Sequence, residues 1–471
     1  MLVHLIGVGG TGMGNLAVLL RSAGHRVRGS DSGIYAPMDS ILEQAGVEVM
    51  EGYSPRNLSP APDLVVIGNV CRPDHVEARS AVRAGMAVAS LPATLRGLVL
   101  RGRRPLVVAG THGKTTTSSL LVHLLESAGT DPGFLVGGRL AGRASGTHLG
   151  AGPWFVLEGD EYDSAFFEKH AKFLSYESDG LIVTSVEHDH LDIYPTWRSY
   201  RTAFERLVTG LPRTGCLVVC TDRDEGRRIA SLSPARTFTY SLDGGSDADY
   251  RVVDLEQTAG RTRFRLLAPR GDLGAFESRL GGAHNAANAA SAIALCVEHA
   301  GVDPDVLRQA LPAFEGVARR QEVAGSAGGV EVLDDFGHHP TAISVTIQGL
   351  RAGLPPDGRL IAVFRPASAT ACRSIHQDEY ALALARADAA VVAPLARTNI
   401  PQAERLDLEK LAADVERSGG RAVLAPDLEA IPAAVARLAR PGDRVVFFSN
   451  TDPGTLLADT LKLLAQRAGS S

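Results

Sequence analysis

Pro105-Leu106-Val107-Val108-Ala109-Gly110, followed by Thr111-His112-Gly113-Lys114-Thr115-Thr116-Thr117, is the stretch on which the fold turns. The aliphatic run reads as a strand, the glycines as a tight loop, and the continuation SSLLVHLLESAG as a helix. A glycine-bearing loop between a strand and a helix N-terminus wraps main-chain N–H groups around phosphates. In such a loop Lys114 would meet the β- and γ-phosphates, and the Thr115 hydroxyl would ligate Mg²⁺. The pattern is not a full Walker A motif, because Val108 stands where its first glycine would be.

On either side the chain keeps the same rhythm. LVHLIGV (2–8), HRVRGSD and DLVVIGN (63–69) read as strands, with GMGNLAVLLRSAG as a helix between the first two. Downstream, PWFVLEGDE (153–161) and GLIVTSVEHDH (180–190) are apolar runs that end in charge, and GGAHNAANAASAIALC (281–296) is an alanine-rich helix. After the connector FEGVARRQE (314–322) come EVLDDF, RLIAVF, AAVVAP, RAVLAP and RVVFFSN, with helical stretches between them. Strands alternating with helices predict an α/β protein with parallel sheets. The basic break RGRRP (101–105) and the connector at 314–322 divide it into three units. A length of 471 residues also suits about three domains.

Composition narrows the function. Hydrophobic residues make up 45% and charged residues 21% of the chain, as in ordinary soluble proteins. The net charge of −5 supplies no basic field for nucleic acid or an anionic membrane. The start MLVHLIGVGG lacks a basic n-region, and no apolar run approaches a membrane span, so a cytoplasmic protein is expected. The five cysteines form no CxxC pair and read as buried free thiols. There are only five lysines, so chemistry that needs a lysine has few candidates.

Ligands of open parallel sheets sit beyond the carboxyl ends of strands, and the polar clusters here lie at such ends. Glu158-Gly159-Asp160-Glu161-Tyr162-Asp163 could supply a carboxylate to the Mg²⁺ at Thr115; read alone it is equally an acidic surface turn. Glu187-His188-Asp189-His190-Leu191-Asp192 suits a divalent metal or a proton relay as well as it suits a surface turn. Gly7-Val8-Gly9-Gly10-Thr11-Gly12 fits GxGxxG, and Asp31 falls 19 residues beyond Gly12, where a ribose-binding acid would stand. That pair alone would also suit NAD(P). Asp334-Asp335-Phe336-Gly337-His338-His339-Pro340-Thr341 ends a strand of the third unit, with Arg319 and Arg320 at its entrance, and arginines suit transition-state phosphate charge.

GTHGKTTT, the acidic strand end, EHDHLD, GxHNxxNA, the ARRQ linker and DDFGHHPT, in this order, resemble the Mur ligase family over essentially the whole chain. The resemblance implies a UDP-sugar-binding Rossmann-like domain (1–103), a central P-loop ATPase domain with a mostly parallel sheet (104–317), and a Rossmann-like domain for the amine substrate (318–471). It implies an ATP-dependent ligase that makes an amide through an acyl phosphate. By the same resemblance Gly110, Thr111, Gly113, Lys114, Thr115 and Thr116 bind the triphosphate, Asn285 and Asn288 contact adenine, and Asp335 meets the ribose. Thr115, Glu158 and His190 would hold magnesium, Arg320 would reach the γ-phosphate, and His338 would meet the amine. Gly9, Gly10, Thr11, Gly12 and Met13, with Asp31 and Asn69, would cradle the UDP end.

Some members carry a carbamoylated lysine near a second metal, but no lysine lies between Lys172 and Lys410. That matches the branch acting directly on UDP-N-acetylmuramate. SDSGIYAPM (30–38), IGN (67–69) and EYDSAFFEKHAKFLSY (161–176) resemble the members that add L-alanyl-γ-D-glutamyl-diaminopimelate during peptidoglycan recycling; members that add L-alanine are the alternative. Phe364-Arg365-Pro366-Ala367-Ser368-Ala369-Thr370 and Ser449-Asn450-Thr451-Asp452-Pro453-Gly454 depart from the usual patterns of the peptide-adding members. The expected partners are UDP-N-acetylmuramate and a murein peptide or amino acid, for a monomer or homodimer.

Overall fold

A computed structural model describes residues 1–258 and 260–469, and it contains three sheets. The first has β1 (Leu2–Ile6), β2 (Arg26–Asp31), β3 (Glu48–Glu51), β4 (Leu64–Ile67) and β5 (Val88–Ala89) in the order β3-β2-β1-β4-β5, with every pair parallel. Chain direction across the sheet reverses between β1 and β4, so the loop after β1 opens on a switch-point crevice.

The second sheet has ten strands: β6 (Arg104–Ala109), β7 (Gly133–Leu135), β8 (Thr147–His148), β9 (Trp154–Gly159), β10 (Gly180–Val183), β11 (Cys216–Cys220), β12 (Arg236–Ser241), β13 (Tyr250–Thr258), β14 (Arg261–Ala268) and β15 (Gly271–Ser278). Its order is β15-β14-β13-β12-β11-β10-β6-β9-β7-β8. The centre is parallel, as expected. Both ends turn antiparallel, at β7–β8 and through β13–β14–β15, so the sheet is mixed. Along β14 the alternation of buried Thr262, Phe264 and Leu266 with exposed Arg261, Arg263 and Arg265 gives one wet and one dry face. Helices Lys114–Ser127 and Ala283–Leu295 share one apolar cluster, where Leu120, Leu121 and Leu124 meet Ala286, Ala290 and Ile293.

The third sheet has β16 (Glu322–Ala327), β17 (Val330–Asp335), β18 (Leu360–Phe364), β19 (Ala389–Val392), β20 (Ala422–Leu424) and β21 (Arg444–Phe448) in the order β16-β17-β21-β18-β19-β20. Only the β16–β17 pair is antiparallel. Separate apolar clusters cover its two faces, one built on Ile343, Tyr380 and Leu411, the other on Ile431, Val435 and Leu464.

The units join differently. The first and second share one continuous buried cluster, running from Leu16, Leu20 and Leu95 to Phe155, Phe173, Tyr176 and Phe204. Phe166, from the segment after β9, also packs on the small cluster of Ile6, Leu58, Val65 and Ile67 in the first unit. The third unit meets the second through polar contacts. All five cysteines are free, four of them buried and Cys220 partly so. Among the described residues no helix is long and apolar enough to cross a membrane.

Candidate active site

The P-loop is built by two glycines that no other residue could replace cheaply. Gly110 (φ 139°) would carry a Cβ 2.1 Å from Thr184 Oγ1, and Gly113 (φ 79°) one 2.6 Å from Asn288 Oδ1. Gly113 caps helix Lys114–Ser127 with no side-chain hydrogen bond, leaving the first-turn N–H groups free for an anion. Thr111 is spent on the scaffold: its hydroxyl donates to the Glu187 carbonyl at 2.9 Å and accepts from the Glu187 N–H at 2.8 Å.

Lys114 Nζ donates to the Gly110 carbonyl at 2.6 Å and to Glu161 Oε1 at 2.9 Å. Burial alone would lower its pKa, but the Glu161 charge outweighs that and keeps it raised. The Thr115 hydroxyl donates to Glu158 Oε1 at 2.7 Å and accepts from Arg320 Nη2 at 3.2 Å. Glu158 Oε2 accepts from the Gly137 N–H at 2.6 Å. Burial, reinforced by Asp160, pushes the Glu158 carboxyl up. A cation at this oxygen would favour the ionised form.

These residues fit a magnesium ion. The Thr115 hydroxyl and a Glu158 carboxylate oxygen converge at a helix N-terminus that attracts phosphate, and Mg²⁺ takes one or two carboxylates with phosphate oxygens and water. His190 lies beside Glu161, with Nε2 3.8 Å from Glu161 Oε2, and its backbone is left-handed (φ 54°). Glu161 was not singled out from the sequence, yet it links the lysine to the histidine.

A cleft lies between the second and third units and encloses about 1290 Å³ with its open mouth, on the scale of small-molecule sites. Gly113, Thr116, Asn285, Asn288, Arg320 and Asp335 line it, so six of the predicted nucleotide-site residues meet in one place. Asn288 Nδ2 donates to Asn285 Oδ1 at 3.2 Å. Asp335 accepts from the Gln321 N–H at 3.0 Å and the Gly337 N–H at 2.7 Å, while burial pushes its carboxyl up. His284 also lines the cleft, and burial lowers its pKa to about 4. Arg319 (φ 61°) and Gln321 (φ 52°) are left-handed on either side of Arg320, and this kinked linker carries the Arg320 guanidinium to Thr115.

Glu187 is a second residue the sequence did not single out. Burial pushes its carboxyl up, but the His112 ring, the Thr341 hydroxyl and Arg223 outweigh that and bring it down to about 2. Thr341 Oγ1 donates to it at 2.7 Å across the boundary between units. His338 also stands at this boundary. Its Nδ1 donates to the Phe336 carbonyl at 3.1 Å, which leaves Nε2 as an acceptor. Burial lowers its pKa.

In the first unit, Asp31 Oδ2 accepts from the Gly9 N–H at 2.8 Å, and Oδ1 accepts from Ser32 N–H at 2.7 Å and Tyr53 at 3.3 Å. The acid therefore braces the loop it was expected to serve. Gly10, Thr11 and Gly12 are exposed at the uncapped start of helix Thr11–Ser22, and exposed Asn69 follows β4 next door. Met13 is buried, so its side chain faces the core and only its backbone is near the crevice.

The two atypical loops of the third unit follow β18 and β21, which are parallel neighbours with Phe364 opposite Phe448. Arg365 donates to the Asp452 carbonyl at 3.2 Å, so the departures form one joint surface.

Comparison with known proteins follows the same three units. The model of the Mur ligase family catalytic domain matches residues 2–103, the Mur ligase middle domain 108–296, and the Mur ligase glutamate ligase domain 319–451. The chain is 35% identical to the UDP-N-acetylmuramate–L-alanyl-γ-D-glutamyl-meso-2,6-diaminoheptandioate ligase of Escherichia coli, over 99% of each chain. It is 36% identical to a UDP-N-acetylmuramate–L-alanine ligase of Salinispora arenicola, over 99% of this chain and 89% of that one. The crystal structure of a murein peptide ligase from Psychrobacter arcticus superposes with a TM-score of 0.72 at 32% identity, over 99% of each chain.

Proposed function

The chain belongs to the Mur ligase family of ATP-dependent carbon–nitrogen ligases, and from that premise we propose that it joins L-alanyl-γ-D-glutamyl-diaminopimelate to UDP-N-acetylmuramate in peptidoglycan recycling. The observation that carries the ligase reading is the line Arg320–Thr115–Glu158, in which the third unit reaches the phosphate loop of the second. The peptide reading is supported by full-length similarity to peptide-adding ligases and by the segment 161–176.

The reaction has two halves. A carboxylate oxygen of the UDP-sugar attacks the γ-phosphorus of ATP, the bond to the β-phosphate oxygen breaks, and ADP leaves. The amine then attacks the acyl carbon, and the tetrahedral intermediate expels inorganic phosphate. Lys114, drawn from Glu161, would hold the β- and γ-phosphates, and Arg320 would meet the charge on the transferring group. Thr115, Glu158 and His190 would hold Mg²⁺, which neutralises that charge when bound. His338, whose pKa burial lowers and whose Nδ1 donates to the Phe336 carbonyl, would meet the amine and accept its proton at Nε2. Gly9 to Met13 with Asp31 and Asn69 would receive the UDP end, and Asn285, Asn288 and Asp335 the nucleoside of ATP. The domain limits are 1–103, 104–317 and 318–471, in a cytoplasmic monomer or homodimer.

One observation favours a second reading, L-alanine or another amine. The joined loops after β18 and β21 carry residues unusual for the peptide-adding members, on the unit that would receive the amine. Phosphate release from ATP with Mg²⁺ and UDP-N-acetylmuramate tests both. Release with tripeptide and not with L-alanine is expected; the reverse assigns the protein to the alanine-adding members, and release with neither means another amine.

A further inference from the structure

His338 and His339 are neighbours whose rings the main chain fixes in opposite senses. His338 Nδ1 donates to the Phe336 carbonyl at 3.1 Å, so the neutral ring keeps its Nε2 bare. His339 Nδ1 instead accepts from the Thr341 N–H at 3.2 Å, as the cap of helix Pro340–Arg351, so the neutral ring carries its proton on Nε2. That Nε2 is closed off from solvent and has no hydrogen-bond partner, in a residue only 6% exposed. A buried donor without an acceptor is costly and calls for an explanation.

The ring stands where the second and third units meet. It lies 4.6 Å from the ring of His112, in the phosphate loop, and 4.7 Å from that of His376. His112 and Glu187 line the cleft, and each brings a ligand atom within 4.8 Å of one on His339. Three such groups would suit a metal, but a metal-bound histidine donates through its other nitrogen, and His339 accepts there. What its Nε2–H lacks is an oxygen. Burial, reinforced by His112, lowers the His339 pKa, so the ring is neutral near pH 7. Asp189 pulls against burial at both His338 and His339, so the two rings border one space.

We propose that His339 is a catalytic residue of amide formation, its Nε2–H donating a hydrogen bond to the acyl oxygen as that oxygen gains charge. The amine attacks the acyl carbon, the carbon–nitrogen bond forms, and the carbonyl π pair moves onto the oxygen held by His339. His338 Nε2 takes the proton of the amine. The pair then re-forms the carbonyl, and the bond to phosphate breaks. A donor fixed before the charge develops costs no reorganisation when it is used. The two tautomers divide the work: one ring receives a proton, the other shares its own without giving it up. The proposal rests on the ligase reading above, not on the identity of the amine.

His339→Asn and His339→Gln separate the two nitrogens of the ring. Asparagine reaches the Nδ1 position and caps the helix, with no donor at Nε2; glutamine offers an N–H at the Nε2 position and caps poorly. Both are measured well below their melting transitions, in single-turnover rapid quench with ATP, Mg²⁺, UDP-N-acetylmuramate and the tripeptide (L-alanine if the wild type uses that amine). His339→Asn should form ADP at the wild-type rate and the amide about 10²-fold more slowly, with a melting temperature within a few degrees of wild type. His339→Gln should melt lower yet recover roughly tenfold of the amide rate. Amide formed by His339→Asn at the wild-type rate overturns the proposal and leaves His339 as a cap. Slowed ADP formation in that variant also overturns it, because the donor then serves phosphoryl transfer, and so do equal amide rates in the two variants. Nitrogen resonance on the wild-type chain with ¹⁵N-labelled histidine should find the His339 proton on Nε2 and the His338 proton on Nδ1; a His339 proton on Nδ1 overturns the proposal whatever the variants do. Failure of the ligase reading shows separately, as a wild-type chain that forms no ADP with UDP-N-acetylmuramate and either amine.

Discussion

The two seams of this molecule are built from different materials. Between the first and second units runs a continuous apolar cluster, with Phe173, Tyr176 and Leu95 buried in it. Between the second and third units the contacts are polar: Arg320 to Thr115, Thr341 to Glu187, Gln321 to His284, and the rings of His112 and His339, tilted against each other with centroids 4.6 Å apart. Apolar burial is strong and non-directional, whereas polar contacts in a cleft can be exchanged for contacts to a ligand. The comparison teaches that the first seam holds the molecule together and the second holds the chemistry. The left-handed residues Arg319 and Gln321, on either side of Arg320, lie at the second seam.

The largest expected effect is at the phosphate loop. Lys114→Ala should lower ATP-dependent turnover by about 10³-fold or more while leaving UDP-sugar affinity within about twofold. Calorimetry on the folded variant checks this, and equal loss of both would break the picture of separate sites on either side of the apolar seam. Next comes that seam. Phe173→Ala should cost about 3–4 kcal/mol of stability, read in denaturant melts, with near-normal turnover well below the transition. A variant of normal stability would mean the shared cluster carries no load.

Arg320→Ala should do the opposite, lowering kcat by roughly 10²-fold, about 2.7 kcal/mol, with a melting temperature within a few degrees of wild type. Arg320→Lys should recover only part, because the planar fork is lost. The smallest effect sharpens the polar seam by pH. The Glu187 carboxyl is brought down from 4.5 to about 2 in the folded protein, so its stabilisation is full above about pH 4.5 and is lost as pH falls towards 2. Glu187→Gln should therefore be less stable than wild type by roughly 1–2 kcal/mol at pH 7, with the gap closing between pH 4.5 and 2. A gap independent of pH would mean that Glu187 acts through shape alone.

Much of the site was legible because its motifs sit at strand ends, which parallel sheets bring to one edge. Gly113, Asn288, Arg320 and Asp335 are far apart in sequence and line one cleft. What escaped the sequence did so for physical reasons. Glu158 lies on β9, where alternation fixes its direction; Glu161 lies in the loop beyond, where no period says which acid turns inward. Phe166 sits in a segment with no regular pattern, and its partners lie some hundred residues earlier. The antiparallel end of the second sheet is another matter. The period-two pattern of β14 is plain in RTRFRL, but the charged positions on its wet face mask the strand when apolar runs are the guide. Likewise Asp31 has the right spacing for a ribose acid, and only the fold shows it bracing Gly9.

Phe166 also bears on how such a chain can be cut and rejoined. A crossover at the basic break near residue 103 would separate the first unit from the phenylalanine that packs on it. A chimera joining the first unit of one relative to the remainder of another inherits a mismatched plug unless both parents carry a compatible side chain there. The gene's natural units of exchange are therefore not its three sheets: the first travels with residues 161–176, while the third, joined by polar contacts that relatives can re-form, is the piece free to be traded.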